Sequence, residues 1–430
     1  MTWLQRYRLR YFLRFSFWSV PLVSILAALF AARSVRWLGE QIGWTWFDFT
    51  EAGARGILDS LASSMLTFIV FAVSALLLAV QLASGLLTPR IIALVFSLRR
   101  VKISVSIFVF AYTFTLGVLS RIEQQHVPQL SVFLAIFSTL TSIVVFFWFV
   151  QQIGMNLRPV AVLEGLWERG RQVIDSVYPR ALEPTTPASP PLDLQALPKS
   201  ARIIEYAGNS GTLLAFSTQE LVAAAQQADC VIELLLQVGD FVSRGDPLFR
   251  LYPADCSLAE DTLHHMIAFG PERTLEQDPA FAFRIIVDIA ARALSPAIND
   301  PTTAVLALDQ LHRLLRYVGQ KQLDLGRVSD GQGKLQLLYP TPQWEDFVML
   351  AVSEIRLFGA GSLQIPRRLQ AMLEHLIAVL PAARTPALRQ ELALLHRAVD
   401  RAYPEAEDRR RAKTGDYQGI GGSSLSQPRG

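Results

Sequence analysis

Residues 124–157 read QQHVPQLSVFLAIFSTLTSIVVFFWFVQQIGMNL, with no Asp, Glu, Lys or Arg between Glu123 and Arg158. A helix needs about 20 predominantly apolar residues to cross a bilayer, so this run has room to spare. Three more runs meet the same test: 15–32 between Arg14 and Arg33, 60–89 between Asp59 and Arg90, and 103–120 between Lys102 and Arg121. The expected spans fall at 15–35, 61–86, 103–120 and 130–153, inside a transmembrane domain of residues 1–178. A signal peptide is the alternative for the first, but its apolar core is long and no small-residue cleavage site precedes Arg33, so a span is expected there. The run IIALVFSL at 91–98 is too short to span and reads as an interfacial helix or an extension of the second span.

Composition agrees with this reading. The 430 residues are 51% hydrophobic and 18% charged, against roughly 25% charged in an ordinary soluble domain. The net charge of +3 hides two bodies: up to Val160 there are 13 Lys and Arg against 5 Asp and Glu, and beyond it 27 against 32. A weakly acidic second body without a basic stripe excludes nucleic acid as a partner, since phosphate binding needs clustered cations. Two cysteines, Cys230 and Cys256, cannot build a disulfide framework or a four-ligand zinc site, and they fit buried thiols in a reducing compartment.

Cytoplasmic loops carry an excess of Lys and Arg. Arg6, Arg8, Arg10 and Arg14 precede the first span, and Arg90, Arg99, Arg100 and Lys102 separate the second from the third, with no acid in either segment. Glu40, Asp48, Glu51, Asp59 and Glu123 fall in the opposite loops. The expectation is a bacterial inner-membrane protein with both termini cytoplasmic. The spans hold no ionisable side chain, whereas proton-coupled carriers bury such groups at membrane depth. They do hold a small, weakly polar seam, Ser131, Ala135, Ser138 and Ser142, with Thr139 and Thr141 beside it, and Ala75, Ala79 and Ala83 at every fourth position. The seam reads either as close helix packing or as a hydroxyl-lined path in an oligomer, with packing the heavier reading.

Six prolines between Pro179 and Pro198 predict an extended linker at 179–200. Residues 201–256 then read as short strands and turns, with Thr218 as an N-cap and VGDFV and RGDPLF as two Gly-Asp turns. That pattern resembles the barrel-sandwich hybrid of biotinyl and lipoyl domains. No lysine lies between Lys199 and Lys321, so the module cannot carry either group. Residues 257–403 read as a helical domain in which Asp300-Pro301 is an N-cap followed by proline at the first helical position. Helices are expected near 281–294, 301–316, 347–358, 366–379 and 386–403, and a disordered tail at 404–430.

The run RTLEQDPAFAFRIIVDIAARALSPAINDPTTAVLALDQL at 273–311, with QLASGLLTPR at 81–90, VPQLSV at 127–132 and VGDFV at 238–242, resembles the Domain of Unknown Function 2254 family of predicted bacterial membrane proteins. The resemblance covers most of the chain to about Gln320 and implies an architecture without a known activity. Gln151 and Gln152 stand where the family is associated with paired histidines, so any metal role of those histidines is in doubt here.

The expected fold is thus a four-helix transmembrane bundle with a cytoplasmic α+β body, a small barrel-sandwich-like β module followed by a helical bundle. Glu260, Asp261, His264 and His265 lack the HExxH order and read as helix-surface pairs, so no metal is expected. Nor does any GxGxxG, GxxxxGK[ST], GxSxG or CxxC motif point to an enzyme or a cofactor. The richest polar constellation is Arg273, Gln277 and Asp278 with Asn299 and Asp300. It reads as turn and cap chemistry or as a pocket for a small cytoplasmic ligand or a neighbouring subunit. The functional expectation is a non-enzymatic homo-oligomer in the bilayer whose cytoplasmic body gates or organises a membrane path. The alternative is an anchored binding or scaffold protein.

Overall fold

The computed structural model describes residues 2–44, 46–90, 99–122, 127–182, 200–323 and 326–422. The run 91–98 and most of the expected linker lie outside the described residues. The chain forms two compact units, Leu9–Ala161 and Met1–Arg8 with Val162–Gly430.

The short helix α1 (Trp3–Phe15) enters the first unit at Leu9, and four helices long and apolar enough to cross a membrane follow in that unit: α2 (Ser19–Ile42), α3 (Glu51–Leu86), α4 (Arg99–Leu119) and α5 (Gln129–Asn156). Each overlaps one charge-free run, and polar turns extend them. Thr50 caps α3 by accepting the Gly53 N–H at 3.2 Å, which starts the helix well before Ser60. α4 is the most enclosed of the four. It packs closely on α2, where a Cβ added to Gly117 would lie 3.1 Å from the Ala32 methyl. Such close approach of small residues is how helices associate in lipid, where apolar burial drives little. Toward one end Ala28, Leu58, Phe114, Val132 and Ala135 form the interior. Toward the other it is Met65, Leu76, Val101, Phe108 and Phe149. Side-chain ties close both ends: Gln129 exchanges two hydrogen bonds with the Phe49 backbone, 2.8 and 3.0 Å, and Arg100 reaches Gln152 at 2.9 Å.

In the second unit two small sheets share one core. β1 (Arg202–Glu205), β5 (Pro247–Tyr252), β3 (Val231–Leu234), β8 (Leu335–Leu338) and β7 (Arg327–Ser329) form one sheet in that order. All its pairings are antiparallel except β3–β8. β4 (Phe241–Val242), β2 (Gly211–Phe216) and β6 (Ile267–Gly270) form the other. Leu213, Ile232, Leu234, Phe249, Leu251, Ile267 and Leu337 fill the space between them. The β module is therefore not confined to 201–256. β6, β7 and β8 come from the stretch expected to be helical, because a sheet recruits strands by long-range pairing that local pattern does not reveal.

The two Gly-Asp turns are built alike. Gly239 and Gly245 take φ of +98° and +92°, a region glycine enters without a Cβ penalty. Asp240 and Asp246 then accept the amides of Gln237 and Ser243 at 2.8 and 2.7 Å. The helix α7 (Thr218–Gln227) is capped by Ser217, not Thr218: the Ser217 hydroxyl accepts the Glu220 N–H at 3.2 Å.

After the five-residue α8 (Glu260–His264), the bundle comprises α9 (Pro279–Ala293), α10 (Pro301–Gly319), α11 (Trp344–Gly359), α12 (Gln364–Val379) and α13 (Thr385–Ala402). α6 (Pro159–Val177) joins it from Val162 onward: a Cβ added to Gly170 would meet Ala282 and Leu314 at 3.0 and 3.1 Å. α9 and α10 both open on Asp-Pro. Asp278 accepts the Phe281 N–H at 3.0 Å and Asp300 the Thr303 N–H at 3.1 Å, and each proline fills a first-turn site whose N–H would be orphaned.

Residues 404–422 are not the disordered tail expected from their composition. α14 (Ala406–Ala412) is followed by a strap in which Asp416, 3% exposed, accepts the amides of Gln418, Gly419 and Gly421. Arg367 donates to the carbonyls of Thr414, Gly421 and Gly422 at 3.2, 3.0 and 2.6 Å. A Gly-rich segment can be ordered when buried side chains satisfy its backbone.

Candidate functional site

The start of α9 carries the densest polar chemistry of the body. Asp278 is 1% exposed, yet beyond its cap bond it accepts Arg273 Nε at 2.8 Å and Nη2 at 2.6 Å. Burial pushes its carboxyl above the ordinary value, against the pull of Arg273 and the helix amides. Arg273 fits because residue 239 is glycine: a Cβ there would lie 2.2 Å from Nη2. Beside it Gln277 acts as an extra strand residue, accepting the Phe216 N–H and donating to the Phe216 carbonyl, both at 3.0 Å.

Gln277 and Asp278 border a cleft of about 230 Å³. Phe216, Gln237, Glu276, Asp278 and Tyr339 line it, and so do Ser176 and Val177 at the last turn of α6. Phe216 and Tyr339 meet edge to face, centroids 4.9 Å apart, and burial raises the Tyr339 phenol above its ordinary value. Among the described residues the lining contains no Lys, Arg or His. A cleft of that size with carboxylate, amide, hydroxyl and aromatic walls suits a small polar or cationic molecule, and few convergent polar groups in an apolar recess are what ligand sites share.

Side chains at Glu164, Trp167 and Asp175 tie α6 to α10 and to Lys321 just beyond it. Asp175 accepts Tyr317 Oη at 2.6 Å and Lys321 Nζ at 2.7 Å. Burial alone would raise its carboxyl, but Lys321, Tyr317 and Arg171 bring it below the ordinary value. Arg313 lies over Trp167, 3.7 Å from the ring centroid, and pairs with Glu164 at 2.6 Å.

The five-residue constellation divides in two. Gln277 and Asp278 line the cleft and Arg273 reaches it only through its bonds to Asp278, but Asn299 and Asp300 sit at the far end of α9, whose 15 residues span about 22 Å at ~1.5 Å each. Asn299 takes φ +50° in the turn before α10, and Asp300 is occupied by Thr303. Two successive Asp-Pro caps open antiparallel helices, so they lie at opposite ends. In the membrane unit Ser131 and Ser142 are buried against neighbouring helices, Ser138 is half-buried and Thr141 is exposed. The hydroxyls of Ser138, Thr141 and Ser142 turn back onto the carbonyls of Ala135, Phe137 and Ser138, each at 2.9 Å. Three of the seam's hydroxyls thus spend their protons on the carbonyls of their own helix.

Sequence reading missed a second polar array, on α10 and α12. Arg368 donates to Asp309 at 2.8 Å and to His312 Nδ1 at 3.1 Å, and His312 Nε2 lies 2.8 Å from His375 Nδ1. Arginine only donates, so His312 accepts at Nδ1 and gives its Nε2 proton toward His375. Burial, then Arg368, His375 and Arg316, push His312 down to about 3. Asp309 and His312 at i and i+3, and Arg368 and His375 at i and i+7, were the available signal. Among the described residues no three His, Cys, Asp or Glu side chains converge as metal ligands.

Comparison with known proteins adds the following. A family model described as "Predicted membrane protein (DUF2254)" matches residues 14–375, which takes in all four spans and the cleft. The uncharacterized proteins Mb1321c of Mycobacterium bovis and Rv1290c of Mycobacterium tuberculosis are each 28% identical over 393 residues, 86% of this chain and 73% of theirs. No solved structure matches.

Proposed function

The chain belongs to the DUF2254 family of predicted membrane proteins, and from that premise we propose a non-enzymatic homo-oligomer of the bacterial inner membrane whose body binds a small ligand in the cleft and thereby gates a path across the bilayer. The observation that carries this reading is the position of α6. It begins two residues after the fourth span ends and finishes with Ser176 and Val177 in the cleft wall. Because α6 is pinned to α10, a ligand that displaces the cleft wall pulls on the helix that follows α5 after only Leu157 and Arg158.

The two Gly-Asp turns and the shared core of the small sheets favour the barrel-sandwich-like description of the module. The cationic loops favour a cytoplasmic body and cytoplasmic termini. Gly56, Ser60, Ser63, Thr67, Ser74 and Gln81 follow a heptad-like stripe along α3, and all are exposed in the single chain. A polar stripe facing hydrocarbon is costly, and contact with a second copy or with water between copies relieves it.

The test combines subunit counting by native mass spectrometry with potassium chloride conductance in planar bilayers, for wild type and for Ser176→Trp, which fills the cleft. A ring of several copies whose conductance changes with Ser176→Trp supports the proposal. A non-conducting monomer makes the chain an anchored binding protein instead.

A further inference from the structure

Residues 9–14, LRYFLR, are all exposed although they form a regular helical segment of α1. Leu9, Phe12 and Leu13 are 47%, 61% and 53% exposed, and their i, i+3, i+4 spacing places them on one side of the helix. Arg10 and Arg14, four apart, form the adjoining edge. The end of this helix is fixed by an unusual cap. Lys102, 5% exposed on α4, donates to the carbonyls of Leu13 and Arg14 at 3.2 and 2.7 Å, satisfying carbonyls that a helix C-terminus leaves orphaned. Lys102 therefore ties α1 to the end of the bundle where α4 begins. Exposed Arg99 and Arg100 stand at that same end, and Arg90 and Arg158 follow α3 and α5 there. The described acids of this unit, Glu40, Asp48, Glu51 and Asp59, all lie toward the opposite end.

We propose that residues 9–14 of α1, together with Arg99 and Arg100, form a binding surface for the headgroups of anionic phospholipids. Leu9, Phe12 and Leu13 enter the acyl boundary, as the apolar edge of an interfacial helix does. Arg10 and Arg14 are then held at headgroup level, and Lys102 sets their distance from Arg99 and Arg100. Charge complementarity selects the occupant. Each cation near an anionic leaflet gains roughly 1 kcal/mol, that is about fivefold in affinity, whereas a second copy of this face would bring like charges together.

The test uses the full-length chain in nanodiscs of phosphatidylcholine alone and of equimolar phosphatidylcholine and phosphatidylglycerol, read by hydrogen exchange of the peptide covering residues 9–15. Exchange slows by about tenfold or more in the anionic discs, and the difference shrinks at high salt. Arg10→Gln with Arg14→Gln removes the difference, and Arg33→Gln, toward the other end, keeps it. Equal exchange in both discs, or a difference that the double variant retains, overturns the proposal. Should the double variant fail to fold, native mass spectrometry of wild type released from mixed discs decides: retained phosphatidylglycerol in excess supports the surface, and no excess overturns it.

Discussion

Gln277 pairs with Phe216 as one strand residue pairs with another, giving and taking a hydrogen bond at 3.0 Å each. In the membrane unit Gln129 treats Phe49 the same way. In both places a glutamine at or just before the start of a helix completes a backbone edge that no strand covers: Phe216 pairs with Ile267 on one side of β2, and β4 on the other side reaches only Gly211 and Thr212. Gln277→Ala leaves the Phe216 N–H and carbonyl unsatisfied, at a cost of about 1–3 kcal/mol. The thermal midpoint of the body falls measurably, and Gln277→Glu, which keeps the acceptor and loses the donor, falls between wild type and alanine.

How far the sequence revealed this site follows from the range of each interaction. The Asp300-Pro301 cap was legible because cap chemistry is local, and the four apolar helices were legible because hydrocarbon excludes charge; the matching Asp278-Pro279 cap, two residues before the expected helix start at Phe281, emerges only in the structure. The Gln277 clamp was not, since Phe216 lies 61 residues away. Nor was β8, whose parallel pairing of Ile232 with Leu337 closes the core from a remote stretch. The same locality grouped Asn299 with Asp278 by sequence proximity, although an intervening helix holds them apart.

The seam on α5 separates packing from pore by substitution. Ala135 is fully buried, so Ala135→Leu overpacks the bundle and costs about 1–3 kcal/mol. Thr141 is exposed and its hydroxyl is internally bonded, so Thr141→Leu leaves the bundle unchanged. Thermal midpoints in detergent check both. Equal midpoints for the two variants would show that Ala135 does not pack.

The His312 array makes the helical bundle acid-sensitive. The ring titrates at about 3 in the fold and near 6.5 when unfolded. The unfolded chain therefore binds more protons between those values, and stability falls as pH drops from about 6.5 toward 3. The full shift corresponds to at most about 5 kcal/mol, less for a ring that keeps some solvent contact. His312→Gln retains an acceptor for Arg368 and a donor for His375, so it flattens the urea-midpoint profile across that range. An unchanged slope would assign the acid sensitivity to other groups.

Arg367 and Asp416 hold the C-terminal strap by complementary means, the arginine saturating carbonyls and the aspartate saturating amides. Both side chains are buried, 6% and 3% exposed, and Asp416 donates its own N–H to the Arg367 carbonyl at 3.0 Å. Arg367→Ala removes three hydrogen bonds from a charged donor, each worth roughly 1.5–3 kcal/mol, while α12 keeps its packing through Leu369, Met372 and Leu376. Residues 414–422 then exchange their amides at near-free rates and become cleavable by protease, with the rest of the bundle still protected. Arg367→Lys restores little of this protection, because a single ammonium cannot reach carbonyls arranged around a planar fork. Loss of protection throughout α12 in both variants would mean instead that Arg367 supports the helix and not the strap.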